Sequence, residues 1–237
     1  MSTDAFTSIE ERIRHGKELR KKSPRASHGE WSPAQDRPDA VELLEEQNEG
    51  RLDWLIPVRR WRMSTSPFAF FRGGARIMAA DLANTPVTGL DVQVCGDAHM
   101  ANFGVFASPE RQLVFDINDF DETLTGPWEW DIKRLVTSFV IAARHNGLKE
   151  KDGRKAAERV VRTYREAMAD FAEMRHTDFW YAMLGEDQLI ASAAVEGRKA
   201  VAQKITRKAK TRDSRQALDK LAEYIEGEFR IKSAPPV

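Results

Sequence analysis

Three short runs rich in β-branched and aromatic residues, DVQVC from Asp91, NFGVF from Asn102 and QLVFDIN from Gln112, lie mid-chain, and the longer periodic segments around them repeat at helical spacing. That island constrains the fold more than any other feature. Strands this short and this few cannot bury a core of their own, so helices on both sides must cover them. The segment ASPER between the second and third runs reads as a hairpin turn. The expectation is an α+β chain, mostly helical, with a small antiparallel β hairpin at its centre.

The flanks carry their own punctuation. Residues 5–22 read as a charged helix, and the proline-bearing stretch KSPRASHGEWSPAQDRPDA reads as a linker. Asp39 is placed to cap a short helix, VELLEEQNE, that stops at Gly50. Residues 1–50 are therefore expected to form a helical extension and linker, and 51–237 the main domain. Ser66 before Pro67 is a second cap signal. Phe68, Phe71, Ala75, Met78 and Leu82 follow at spacings of three and four, which predicts one helix with one apolar face. After the strands, Ile132, Leu135, Val136, Phe139, Val140 and Ala143 predict a buried helix from Asp131 to about Asn146-Gly147. Residues 154–175 repeat the pattern, and two weaker helices are expected over about 190–210 and 213–229.

Charge and cysteine usage narrow the setting. The chain has 37 basic and 37 acidic side chains in 237 residues, so net charge gives no reason to expect nucleic acid as its main partner. The cations of RKAVAQKITRKAKTRDSR read as a solvated helix face. Cys95 is the sole cysteine, which rules out an internal disulfide and suits a reducing cytosol. With no apolar leader and no long uncharged apolar run, the expectation is a cytoplasmic protein without membrane partners.

Nearly all the chemical promise falls within the island. Asp97, His99, Asn102, Asp116, Asn118, Asp119, Asp121 and Glu122 lie between positions 96 and 122. Asp and Asn favour turns, so two polar loops would explain part of this. Carboxylates gathered at the end of a small sheet repel one another unless a cation neutralises them, and Asp and Asn without Cys suit Mg²⁺ better than Zn²⁺. Asp97 and Asn102 stand as D-x-x-x-x-N directly before a strand, the spacing of a kinase catalytic loop.

The wider word GDAHMANFG resembles the H-G-D-x-H-x-x-N loop of aminoglycoside phosphotransferases and choline kinases, with Cys95 where those families have histidine. NDFDE resembles the aspartate-bearing elements D-F-G and I-D-F that follow. Asp116 and Asp119 compete for the metal role. Asp119 is favoured because Asp131 follows it by twelve residues, in GPWEWDI, which resembles the G-D-P-x-x-D-L word of the phosphotransferases. The resemblance implies Asp97 as the base, His99 as a loop or phosphate contact, and Asn102 and Asp119 as Mg²⁺ ligands for ATP. It implies Asp131 as the support of the loop from a helix start.

SPFAFFRGGARIMAADLA, CGDAHMANFG, FDINDFDET and PWEWDIKRL together resemble the bacterial family called domain of unknown function 2252. The kinase-like reading implies the C-terminal lobe of such a fold. A kinase also needs a glycine-rich loop and a strand lysine. Gly73-Gly74, inside a helical pattern, do not supply the loop, so the nucleotide-cradling lobe is expected to be absent. Three functions compete: phosphoryl transfer from ATP to a small molecule, metal-dependent phosphoester hydrolysis, and binding without catalysis. Among other residues, Arg72 is placed to reach a phosphate or an acidic loop or to support the site through a structural ion pair, and Trp128 and Trp130 to pack that loop on the following helix or to line a substrate pocket. His15, His28, His145 and His176 stand alone. A nucleophilic role for Cys95 has no evident base or cationic neighbour.

Overall fold

The computed structural model describes residues 8–195, 197–211 and 214–232. It divides into two compact units: Met1–His99 with Phe120–Val161, and Met100–Asp119 with Arg162–Val237. Among the described residues the chain is mostly helical, with three separate antiparallel strand pairs.

Unit one opens with α1 (Ile9–Lys22). Ser8 and Glu11 form a reciprocal capping box there, which satisfies two N–H groups at the helix start. Asp39 caps α2 (Ala40–Glu46), accepting from Val41 N at 2.8 Å and Glu42 N at 3.3 Å. Next come α3 (Ile56–Ser64), α4 (Pro67–Gly73) and α5 (Ala75–Leu82). Ser66 caps α4 through Ala69 N at 3.0 Å, with Pro67 at the first helical position.

The single helix expected over 67–82 is thus two, broken at Gly74. Glycine is costly inside a helix, and packing fixes the pair: a Cβ on Gly73 would lie 2.6 Å from the Met63 sulfur. Met63 of α3 packs against the bare backbone of Gly73, and a side chain there would have to displace it.

Strand β1 (Asp91–Val94) does not join the central hairpin. It pairs with β4 (Leu124–Pro127), Asp91 opposite Pro127 and Val94 opposite Leu124. The long helix α6 (Trp128–His145) then begins three residues before the expected start at Asp131. Its most deeply buried members include Arg134, Ser138 and Ala142, a stripe at four-residue spacing that carries two polar side chains. Ile132, Leu135, Val136, Phe139 and Val140 are only half-buried. Helix α7 (Glu150–Glu173) approaches closely through Gly153, where a Cβ would lie 3.2 Å from that of Ala143.

Unit two is built on the hairpin of β2 (Phe103–Ala107) and β3 (Leu113–Ile117), with Phe103 opposite Ile117. Phe103 and Phe115 stack with ring centroids 6.4 Å apart. Beyond α7 lie the short helix α8 (His176–Trp180), α9 (Glu186–Val195) and α10 (Lys199–Lys210), and α9 and α10 pack against the hairpin. Helix α11 (Ser214–Leu221) ends well before residue 229. The helix expected there gives way to a hairpin of β5 (Ala222–Ile225) and β6 (Glu228–Ile231). Glu226 and Gly227 both have positive φ, +53° and +89°, which reverses the chain in two residues as a tight hairpin requires. Among the described residues no helix is long and apolar enough to cross a membrane.

Candidate active site

The loop after β1 is tightly constrained at Gly96. Gly96 has φ +82°, and a Cβ there would overlap the backbone carbonyl of Glu122. Only glycine meets both demands. Thr123 Oγ1 donates to the Val94 carbonyl at 2.7 Å, tying the entry of the loop to the residues before β4.

Asp131 closes the loop from the first turn of α6. Its carboxylate accepts the backbone N–H of Cys95 at 2.7 Å and that of Gly96 at 3.1 Å. Burial pushes its pKa above the ordinary aspartate value. The Cys95 and Gly96 hydrogen bonds and the charge of Arg134 pull it down, and Asp97 adds to the rise.

Asp97 is bound by an arginine on that same helix. Arg134 Nε donates to Asp97 Oδ1 at 2.7 Å, and Nη2 donates to the same oxygen. Nη2 also reaches the Phe71 carbonyl at 2.8 Å, and the guanidinium lies 4.3 Å from the Phe71 ring centre. Nη1 approaches the Met78 sulfur at 3.7 Å. Arg134 is only 2% exposed, so its charge is compensated almost wholly inside the protein. His99, also buried, stands edge-on to Phe68 with centroids 6.3 Å apart. Its Nε2 lies 3.5 Å from Asp97 Oδ2, longer than an ordinary hydrogen bond.

Unit two holds the remaining candidates on its hairpin. Asn102 is buried and donates from Nδ2 to the Asp119 carbonyl at 3.1 Å, while its own carbonyl accepts Asn118 N–H at 2.9 Å. Asp119 is exposed. Asp116, also exposed, accepts from Ile117 N at 2.8 Å and stands opposite Gly104 in the ladder. The hairpin end thus brings Asn102 to Asp119 and gives Asp116 a separate, local bond. Among the described residues no three of His, Cys, Asp and Glu converge as a metal site.

Three other residues depart from the sequence reading. Arg72 is exposed on α4, and among the described residues no hydrogen bond or ion pair joins it to the loop. Arg134, which the sequence reading passes over, is the arginine that meets Asp97. One signal pointed to it: a cation inside the apolar helical pattern, one turn after Asp131. Glu129 is a second omission. It is buried in the first turn of α6, and its Oε1 accepts Thr88 N and Thr88 Oγ1, each at 2.7 Å. Trp128 Nε1 donates to that same hydroxyl at 3.0 Å, so this tryptophan packs by way of Thr88.

Residues 51–237 match the profile of a family described as an uncharacterised protein conserved in bacteria, DUF2252, and the chain belongs to that family. No curated protein and no solved structure matches it.

Proposed function

With that membership as the premise, we propose that the chain carries the catalytic loop of a kinase-like phosphotransferase, passing a phosphoryl group from ATP to a small-molecule hydroxyl or amine. The observation that carries this reading is Asp131. From the first turn of a helix, its carboxylate takes the N–H groups of the two residues that directly precede Asp97. The phosphotransferases that the sequence resembles support their catalytic loop with an aspartate at a helix start.

In this reading Asp97 orients the attacking group and accepts its proton. Arg134 fixes the direction of that carboxylate, a contribution that matters where positioning and charge stabilisation supply most of the catalysis. His99, at 3.5 Å from Asp97, lines the same loop.

Asn102 and Asp119 are the donors for Mg²⁺. Both offer hard oxygens, and Asn102 is held beside Asp119 by its bond to the Asp119 carbonyl. Mg²⁺ commonly takes one or two protein carboxylates and completes its shell with phosphate oxygens and water, so two protein donors fit it. When bound, it would offset the charge on the transferring group.

A second reading, nucleotide binding without turnover, is favoured by the same Asp97–Arg134 pair, which occupies one carboxylate oxygen with two guanidinium N–H groups. Calorimetric titration with ATP, with Mg²⁺ or with EDTA, separates the readings when joined to release of labelled γ-phosphate. The phosphotransferase reading expects Mg²⁺-dependent binding, weakened roughly tenfold by Asp119→Asn, and turnover lost in Asp97→Asn. Binding without turnover selects the second reading, and no ATP binding with Mg²⁺ or with EDTA sinks both.

A further inference from the structure

Beside the Arg134 anchor, unit one contains a cavity of about 1000 Å³. Phe71 and Met78, which hold the guanidinium, also line it, together with Met63, Phe70, Ile77 and Ile141. A concave apolar space of this size with a few polar groups is the usual form of a small-molecule site.

Three charged side chains reach the cavity: Glu30, Asp81 and Lys133. Glu30 is exposed and solvated. Asp81 is committed to Arg37, which donates to its two oxygens at 2.5 and 2.9 Å. Lys133 is different. It is half-buried on α6 and donates to Thr85 Oγ1 at 2.8 Å and, more weakly, to the Pro86 carbonyl at 3.4 Å. Among the described residues it has no ion-pair partner, although an ammonium has a third N–H to give. Burial pushes its pKa below the ordinary lysine value, with the charge of Glu129 opposing. A partly desolvated cation in apolar surroundings is stabilised by an anion brought to it.

We propose that this cavity binds a small amphipathic carboxylate, with the carboxylate on Lys133 and an apolar chain or ring against Phe70, Phe71 and Ile141. A single negative charge matches Lys133, the cation lining this cavity that no carboxylate pairs among the described residues. A phosphate dianion would leave charge uncompensated beside Asp81 and Glu30. The proposal stands apart from the phosphotransferase reading, since no nucleotide or metal enters it.

Octanoate and octanol, which share an apolar chain and differ in the head group, are titrated calorimetrically into the full chain. Octanoate is expected to bind at least roughly tenfold more tightly, the scale of a charge-assisted hydrogen bond in partly dry surroundings. Lys133→Met should erase that preference and leave octanol binding unchanged. Phe70→Ser, at a position 42% exposed, should weaken both ligands without unfolding the protein. Equal binding of the two ligands by the wild type, or no binding of either, would overturn the proposal. So would an octanoate preference that survives Lys133→Met. If that variant fails to fold, the wild-type comparison and Phe70→Ser still decide.

Discussion

Asp97 and Asp131 in unit one, and Asp116 and Asp119 in unit two, are the same residue type within one short stretch of chain, and the fold treats them in opposite ways. The first two are half-buried and turned toward protein donors: Asp131 takes two backbone N–H groups, and Asp97 takes the Arg134 guanidinium. The second two are exposed. A half-buried carboxylate held by fixed donors organises a loop, whereas an exposed one can still be reached by a cation from solvent. The comparison separates carboxylates that hold a loop from exposed ones among residues that look alike in sequence, and the metal role proposed above falls on the exposed pair.

Removing Arg134 should break the comparison most forcefully. Arg134→Met leaves Asp97 without its buried counter-charge, and we expect a loss of about 3–5 kcal/mol in urea unfolding. Pairing it with Asp97→Asn should recover a substantial part of that loss, because the uncompensated charge is gone. Equal losses in the single and double variants would show that Arg134 acts through packing on Phe71 instead.

Next in size is Gly96→Ala, at about 3 kcal/mol, since φ +82° and overlap with the Glu122 backbone act together. Gly104→Ala in unit two is the sharper control. The atom it would meet is the amide of the Asn118 side chain, which can turn away, so its cost should be clearly smaller. Comparable thermal shifts for the two variants would mean that the Gly96 loop is not the more rigid region.

The same contrast explains what was legible in sequence. The β2–β3 hairpin, the caps at Asp39 and Ser66 and the spacing of Asp97 to Asn102 are local, and short-range chemistry governs them. Arg134 was not legible, because its role depends on a partner 37 positions away. Strand β4 was missed because LTGP has a glycine, a proline and no alternation, and only its pairing with β1 makes it a strand. The break at Gly74 was hidden because the apolar stripe continues through it. Met63, from a different helix, packs against the neighbouring Gly73, a contact that the local pattern does not show.

Asp131→Asn should cost less, about 1 kcal/mol at neutral pH. The amide relieves the burial cost of a charge but offers only one acceptor oxygen to two N–H groups. The pH dependence sharpens the prediction. A carboxyl whose folded pKa is raised contributes stability that is full below its unfolded pKa of about 3.9 and is lost as pH rises through the folded value. The stability difference between wild type and Asp131→Asn should therefore shrink as pH rises across that window. A difference that grows instead would show that the Cys95 and Gly96 hydrogen bonds outweigh burial.

The smallest effects on stability should come from the exposed pair. Asp116→Asn keeps an oxygen for Ile117 N–H, and Asp119→Asn leaves the Asp119 carbonyl that Asn102 uses, so each should stay within about 0.5 kcal/mol of wild type. That near-silence makes them clean probes of chemistry, because a change in ligand binding cannot then be blamed on folding. If Asp119 holds Mg²⁺ beside Asn102, its variant should weaken Mg²⁺-dependent ATP binding and leave any metal-free binding alone. Asp116→Asn, with its carboxylate turned to its own strand, should change neither. Equal losses in both variants would mean that the hairpin acts through its summed negative charge, and the distinction drawn from Asn102 would fall.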